Sequence, residues 1–106
     1  MAWLLLALAG ILEIGWPLGF KLASTYEKYF YPFIVLSIIS MAASGFFLYL
    51  AQKTIPIGTA YVIWTGIGAI GTVLIGILFF HDSANIFRML FLSLIVIGIV
   101  GLKLVH

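Results

Sequence analysis

Met1-Ala-Trp-Leu-Leu-Leu-Ala-Leu-Ala-Gly-Ile-Leu-Glu13-Ile-Gly-Trp16-Pro17-Leu-Gly-Phe20 decides the fold. It is apolar apart from one acid, Glu13. About twenty such residues, coiled as a helix, cross the ~30 Å hydrocarbon core of a bilayer. A carboxylate at that depth costs ~2.5–3.5 kcal/mol even on lenient insertion scales. It is therefore a candidate site for a proton, a cation or both. The apolar start superficially resembles a signal peptide. It has no basic leading segment, and Glu13 interrupts it, so it is read as a retained first span.

The same pattern repeats outward from this stretch. The 106 residues are 65% hydrophobic and 8% charged, with a mean hydropathy of +1.32. A soluble surface needs ~25–35% charged residues, so most of this chain must face lipid. Charges and prolines cut it into four segments. The first runs from about Ala2 to Lys21, and the second from Tyr31-Pro32 to Gln52-Lys53. The third runs from Pro56 to Phe80-His81-Asp82, and the fourth from Asn85-Ile-Phe-Arg88 to Lys103-Leu-Val-His106. The fourth spans if Arg88 and Lys103 snorkel to opposite interfaces. The expected fold is an all-α membrane protein with four transmembrane helices in a single domain, residues 1–106. Connections this short leave no extramembrane domain, so function must reside in the bilayer.

Several function classes fall away. There are no cysteines for disulfides or thiolate metal sites. The two histidines, His81 and His106, are placed in a loop and at the terminus, and no metal site is expected. A net charge of +2 is too small and scattered for a nucleic-acid surface. Glu13 has no partner acid, base or nucleophile at a catalytic spacing, so no enzyme and no cofactor is expected.

Charge also bears on orientation. With a cytoplasmic N-terminus, Lys53 and Lys103 lie inside, and Lys21, Lys28 and Arg88 lie outside. Two against three is almost no positive-inside bias. Either the chain inserts both ways, or a masked charge or a partner fixes its orientation. Alternating-access carriers commonly pair inverted halves around a midplane site. Two copies of this chain in opposite senses would supply that pair, so an antiparallel dimer is expected.

The polar residues inside the spans form faces. On the first, Ala9, Glu13, Trp16 and Phe20 align at i, i+3 and i+4 spacing. Trp16 is either an interfacial anchor or an aromatic wall beside a cation. Pro17 lacks the N–H that would bond the Glu13 carbonyl, so a kink is expected beneath the acid. It is a hinge candidate or a packing kink. On the second span, Ser37, Ser40 and Ser44 form a stripe, which serves helix packing or lets Ser44 donate to the carboxylate. On the third, Tyr61, Trp64, Thr65 and Gly68 share a face. Tyr61 offers a hydroxyl to the acid and Trp64 a second ring. Gly66-Ile-Gly68-Ala-Ile-Gly71 matches GxGxxG but has no preceding strand or βαβ unit, which excludes a dinucleotide site. Gly66 and Gly68 instead permit close approach or a hinge. On the fourth, Gly98 and Gly101 suit packing between two copies.

Taken together, these residues resemble the small multidrug resistance family of four-helix bacterial transporters. The resemblance covers essentially the whole chain. Its strongest parts are Ala9-Gly-Ile-Leu-Glu13-Ile-Gly-Trp16 and Pro56-Ile-Gly-Thr-Ala-Tyr61-Val-Ile-Trp64-Thr-Gly-Ile-Gly68, supported by Gly98-Ile-Val-Gly101-Leu-Lys103. Trp16, one turn after the acid, and the run from Trp64 to Gly71 are most similar to the guanidinium-exporter subtype. The resemblance implies an antiparallel dimer in a bacterial inner membrane and proton-coupled antiport. It implies that Glu13 binds both substrate and protons, with Trp16, Ser44, Tyr61 and Trp64 around it. Two departures are Pro17, where a small or aliphatic residue is expected, and a long aromatic first loop from Ser24 to Pro32. They leave open a heterodimer with a paired paralogue.

The expected substrate is guanidinium or a small guanidinyl cation. Its planar fork of N–H donors matches a carboxylate, and tryptophan rings can stack on its faces. Protons would compete for the same carboxylates. The rival readings are a quaternary-ammonium multidrug exporter on the same scaffold, a lipid-carrier flippase, and a structural membrane subunit.

Overall fold

The computed structural model describes residues 1–105, and His106 lies outside them. The chain folds into α1 (Ala2–Thr25), a 3₁₀ turn (Glu27–Tyr29), α2 (Phe30–Ala51), α3 (Ile57–Phe79) and α4 (Ile86–Val105). All four α-helices are long and apolar enough to cross a membrane, which makes the chain a multi-pass membrane protein. The expected four spans are therefore present, with small differences at their ends.

Those differences have local causes. α1 runs past Lys21 because Ser24 and Thr25 fold their hydroxyls back onto the Lys21 carbonyl, at 2.9 and 2.8 Å. α2 starts two residues before Pro32. In a first turn the missing N–H of a proline has no intrahelical partner to lose. α3 begins directly after Pro56, whose φ of −53° is already set. At its far end the Gly76 carbonyl accepts N–H bonds from both Phe80 and Asp82, at 3.0 Å each. The reversal between them is made by His81 at φ 60°. Asn85 then caps α4, its Oδ1 accepting the Arg88 N–H at 2.9 Å.

The charged residues near the two ends of α4 both find partners within the chain. The Arg88 side chain turns back to the Ser83 carbonyl at 2.7 Å and approaches Asp82 at 3.9 Å. The Lys103 ammonium lies over the Trp3 ring, 5.7 Å from its centroid. At the opposite end the Lys21 ammonium lies over the Phe80 ring at 5.8 Å. The N-terminus and Lys103 thus share one end of the bundle, and the first and third connections share the other.

α1 is the central element. It packs closely on α2 and on α3, whereas the backbone of α4 approaches that of α3 alone and reaches α1 only through side chains such as Lys103. Glycines set the approach. A Cβ on Gly15 or Gly19 would run into Ser40 or Ser37 of α2, and one on Gly10 would meet Ile67 of α3. The three glycines of the GxGxxG string face different neighbours. Gly66 seats Ile99 and Ile95 of α4, Gly68 seats the stem of Glu13, and Gly71 seats Ile14. Each is a close-approach position. The largest apolar cluster, Leu6, Ala51, Ile55, Ala60 and Ile63, lies near the connection between α2 and α3. α4 buries no residue fully, and the molecule is a slab of 46 × 35 × 17 Å.

Candidate cation-binding site

Glu13 is at the middle of α1, a helix of 24 residues. Among the described residues it is the only acid within the four helices. Its carboxylate meets an indole from its own helix: Trp16 Nε1 donates to Oε1 at 2.6 Å. The spacing of three residues puts both side chains on one face. Trp16 is in turn held edge-on by Phe20, with ring centroids 5.7 Å apart. One carboxylate oxygen is thereby fixed, and the other is not tied by a side chain.

The carboxylate opens into a cleft of about 320 Å³ between α1 and α3, lined by Glu13, Trp16, Pro17, Thr65, Gly68 and neighbours on α3. Gly68 makes this possible. A Cβ there would sit 2.6 Å from Glu13 Cγ, so any larger residue would displace the acid. A second cleft of about 260 Å³ continues along the same two helices and shares Pro17 and Thr72 with the first. Its lining reaches Lys21 and Asp82. The two clefts meet at Pro17 and Thr72, and the second ends beside charged residues at the end of the bundle.

The other expected site residues are close by but arranged differently. Ser44 is fully buried and donates to the Ala9 carbonyl at 2.7 Å. It also accepts from Trp64 Nε1 at 2.8 Å. In the single chain the Ser44 proton goes to a main-chain oxygen one turn before Glu13, and not to the carboxylate. Ser37 behaves alike, with Oγ at 3.1 Å from the Trp16 carbonyl and 3.0 Å from that of Phe33. Tyr61 is 55% exposed and leans on Trp64 at 5.6 Å. It lines a separate cleft between α3 and α4 together with Gly98. Within one chain the structure brings Trp16 alone of these four residues against the acid. Pro17 lies inside an uninterrupted α1 and lines both Glu13-side clefts. Gly98 and Gly101 face open space.

Two features were not picked out from the sequence. Thr72 donates to the Gly68 carbonyl at 2.7 Å and sits where the two clefts meet. Its position one turn after Gly68 on a glycine-rich helix was the available signal. The role of Gly15 and Gly19 in seating α2 was legible as a small-xxx-small spacing. Thr65, placed on the Tyr61 face, lines the Glu13 cleft as well as the one beside α4.

Comparison with known proteins agrees with this geometry. Residues 1–95 match the family model described as Small Multidrug Resistance protein. A protein of Proteus vulgaris named Guanidinium exporter is 48% identical over 106 residues, covering 98% of each chain. Proteins with the same name from Yersinia pseudotuberculosis and Escherichia coli K12 are 47% and 42% identical over 104 residues. Those alignments cover 98% of this chain and 98% and 97% of the relatives. A lone acid on a glycine-lined face, four short spans and this near-complete match lead to one assignment: the chain belongs to the small multidrug resistance family.

Proposed function

We propose that the protein is a proton-coupled antiporter that exports guanidinium and small guanidinyl cations across a bacterial inner membrane. The observation that carries this reading is the Glu13–Trp16 pair. A single carboxylate, held by an indole N–H, faces a cleft between α1 and α3 that adjoins a second cleft lined by Lys21 and Asp82. The names of the relatives favour the same cation class.

The chemistry follows from hydrogen-bond accounting. When the proton leaves Glu13, the carboxylate needs donors in a medium that supplies few. Guanidinium brings them in a fork that matches two oxygens. A quaternary ammonium ion brings none, and a site built around such bonds discriminates strongly against it. Proton and cation then exclude each other from one group, and that exclusion is the coupling.

The working unit is an antiparallel dimer. Lys53 and Lys103 oppose Lys21, Lys28 and Arg88, which gives insertion almost no preferred sense. α4 buries no residue fully and leaves Gly98 and Gly101 open, which suits a second copy. In the dimer, two Glu13 carboxylates share one chamber. Trp64, Tyr61 and the Ser44 hydroxyl that holds Trp64 form its aromatic wall, and the glycines of α3 with Pro17 allow its two halves to rock.

Proteoliposome currents test the substrate. Guanidinium should carry a current under an opposed pH gradient and tetramethylammonium little. Faster tetramethylammonium transport without guanidinium current would assign the chain to quaternary-ammonium export. Loss of neither current in the Glu13→Gln variant would remove the acid from the mechanism.

A further inference from the structure

Pro17 changes the acceptor inventory of the Glu13 cleft. In an α-helix the carbonyl of residue 13 accepts the N–H of residue 17. Proline has no N–H, so the Glu13 carbonyl has no helical donor. Among the described residues no side-chain donor is directed at it: the Thr65 hydroxyl lines the cleft without bonding it, and the other donors nearby are engaged elsewhere. Ser37 shares its one proton between the Trp16 and Phe33 carbonyls, and Ser44 bonds the Ala9 carbonyl. Thr72 bonds the Gly68 carbonyl, and the Trp16 indole bonds the Glu13 side chain. A carbonyl at residue i points between the side chains at i+3 and i+4, here Trp16 and Pro17. Both line the same cleft as the Glu13 carboxylate.

A freed carbonyl inside a bilayer is costly unless something donates to it. Membrane proteins tolerate such irregular backbone where it lines a cavity, and transporters use unwound carbonyls to hold cations. We propose that the Glu13 main-chain carbonyl, released by Pro17, is an additional acceptor in the substrate site, specific for cations that carry N–H donors. A guanidinium that offers two N–H groups to the carboxylate still has others to give. The carbonyl, a few atoms from the carboxylate on the same residue, takes one of them. A tetraalkylammonium ion has nothing to offer it. Pro17 is thus a specificity determinant that acts through the backbone of its neighbour. This rests on the proposed function, in which the cleft receives cations at Glu13.

The test reads the carbonyl itself. The chain has two glutamates, Glu13 and Glu27. Cell-free synthesis of the Glu27→Gln protein with glutamate ¹³C-labelled at C1 therefore marks one main-chain carbonyl. Glu27 lies in the exposed turn outside the cleft. In lipid vesicles, guanidinium should shift the labelled amide infrared band to lower frequency, and tetramethylammonium should leave it in place. Binding constants give a second readout. Pro17→Ala restores the N–H and should weaken guanidinium binding about tenfold, the worth of one charge-assisted bond. Replacing Pro17 by lactic acid keeps the alanine side chain but has no N–H, and should retain the affinity. An unshifted band with guanidinium bound, or equal losses in both substitutions, would overturn the carbonyl site and leave the proposed function standing. No guanidinium binding to the unsubstituted protein would overturn both. The infrared arm decides the matter even if Pro17→Ala fails to fold.

Discussion

Small residues close both faces of α1, but only toward α3 does one of them also reserve space. Toward α2, Gly15 and Gly19 vanish beneath Ser40 and Ser37, and Ala9 receives Ser44. The bonded hydroxyls there, Ser37 and Ser44, are spent on main-chain carbonyls. Toward α3, Gly68 makes room for the stem of a charged side chain, and a cleft stays open around it. A glycine in a membrane helix can therefore close an interface or reserve space within it. Which of the two applies depends on the residue opposite, and that is not visible from the glycine's own helix.

This contrast can be broken by substitution. Glu13→Gln should have the largest effect, abolishing coupled guanidinium transport while leaving thermal stability in detergent unchanged. Retained proton-driven transport, measured as vesicle uptake, would show that the open face is not the site.

A matched pair sharpens it. Gly19→Ala puts a methyl against Ser37 and 2.9 Å from the Phe33 carbonyl, a backbone atom that cannot yield. It should cost ~1–3 kcal/mol of stability through overpacking, read as a lowered unfolding midpoint. Gly68→Ala meets Glu13 Cγ at 2.6 Å, which can swing aside, and Cβ at 3.1 Å, with backbone no nearer than the Gly10 carbonyl at 3.7 Å. It should lower the midpoint less than Gly19→Ala does and reduce guanidinium affinity about tenfold by displacing the carboxylate. Reversed outcomes would exchange the roles assigned to the two faces.

Smaller effects should come from the Ser44 network. Ser44→Ala leaves Trp64 Nε1 without its acceptor and the Ala9 carbonyl without its extra donor. A loss of about 1 kcal/mol is expected, measured as guanidinium affinity and unfolding midpoint together. Tyr61→Phe should change transport least, because the ring that leans on Trp64 is retained.

The sequence made the four spans legible because charges and prolines bound them, and both act locally. Lys21 is the instructive exception. A charge that marked the end of a span still lies within α1, since Ser24 and Thr25 extend the helix beyond it. The Glu13–Trp16 pair was equally legible, being set by spacing within one helix. What the Ser44 proton does was not. The Ala9 carbonyl and the Glu13 carboxylate lie one turn apart on α1, and the choice between them depends on how α2 is seated. Gly66, Gly68 and Gly71 read as one motif but serve α4, Glu13 and Ile14 separately, because a helix turns successive glycines toward different neighbours.

The central claim is that protons and guanidinium exclude each other at Glu13. Calorimetric titration of the protein with guanidinium, repeated across pH and in buffers of different ionisation heat, tests it most directly. Binding should release protons, and the apparent affinity should fall as the pH is lowered, since protons then occupy the carboxylate. An affinity independent of pH, with no proton release in any buffer, would contradict the account.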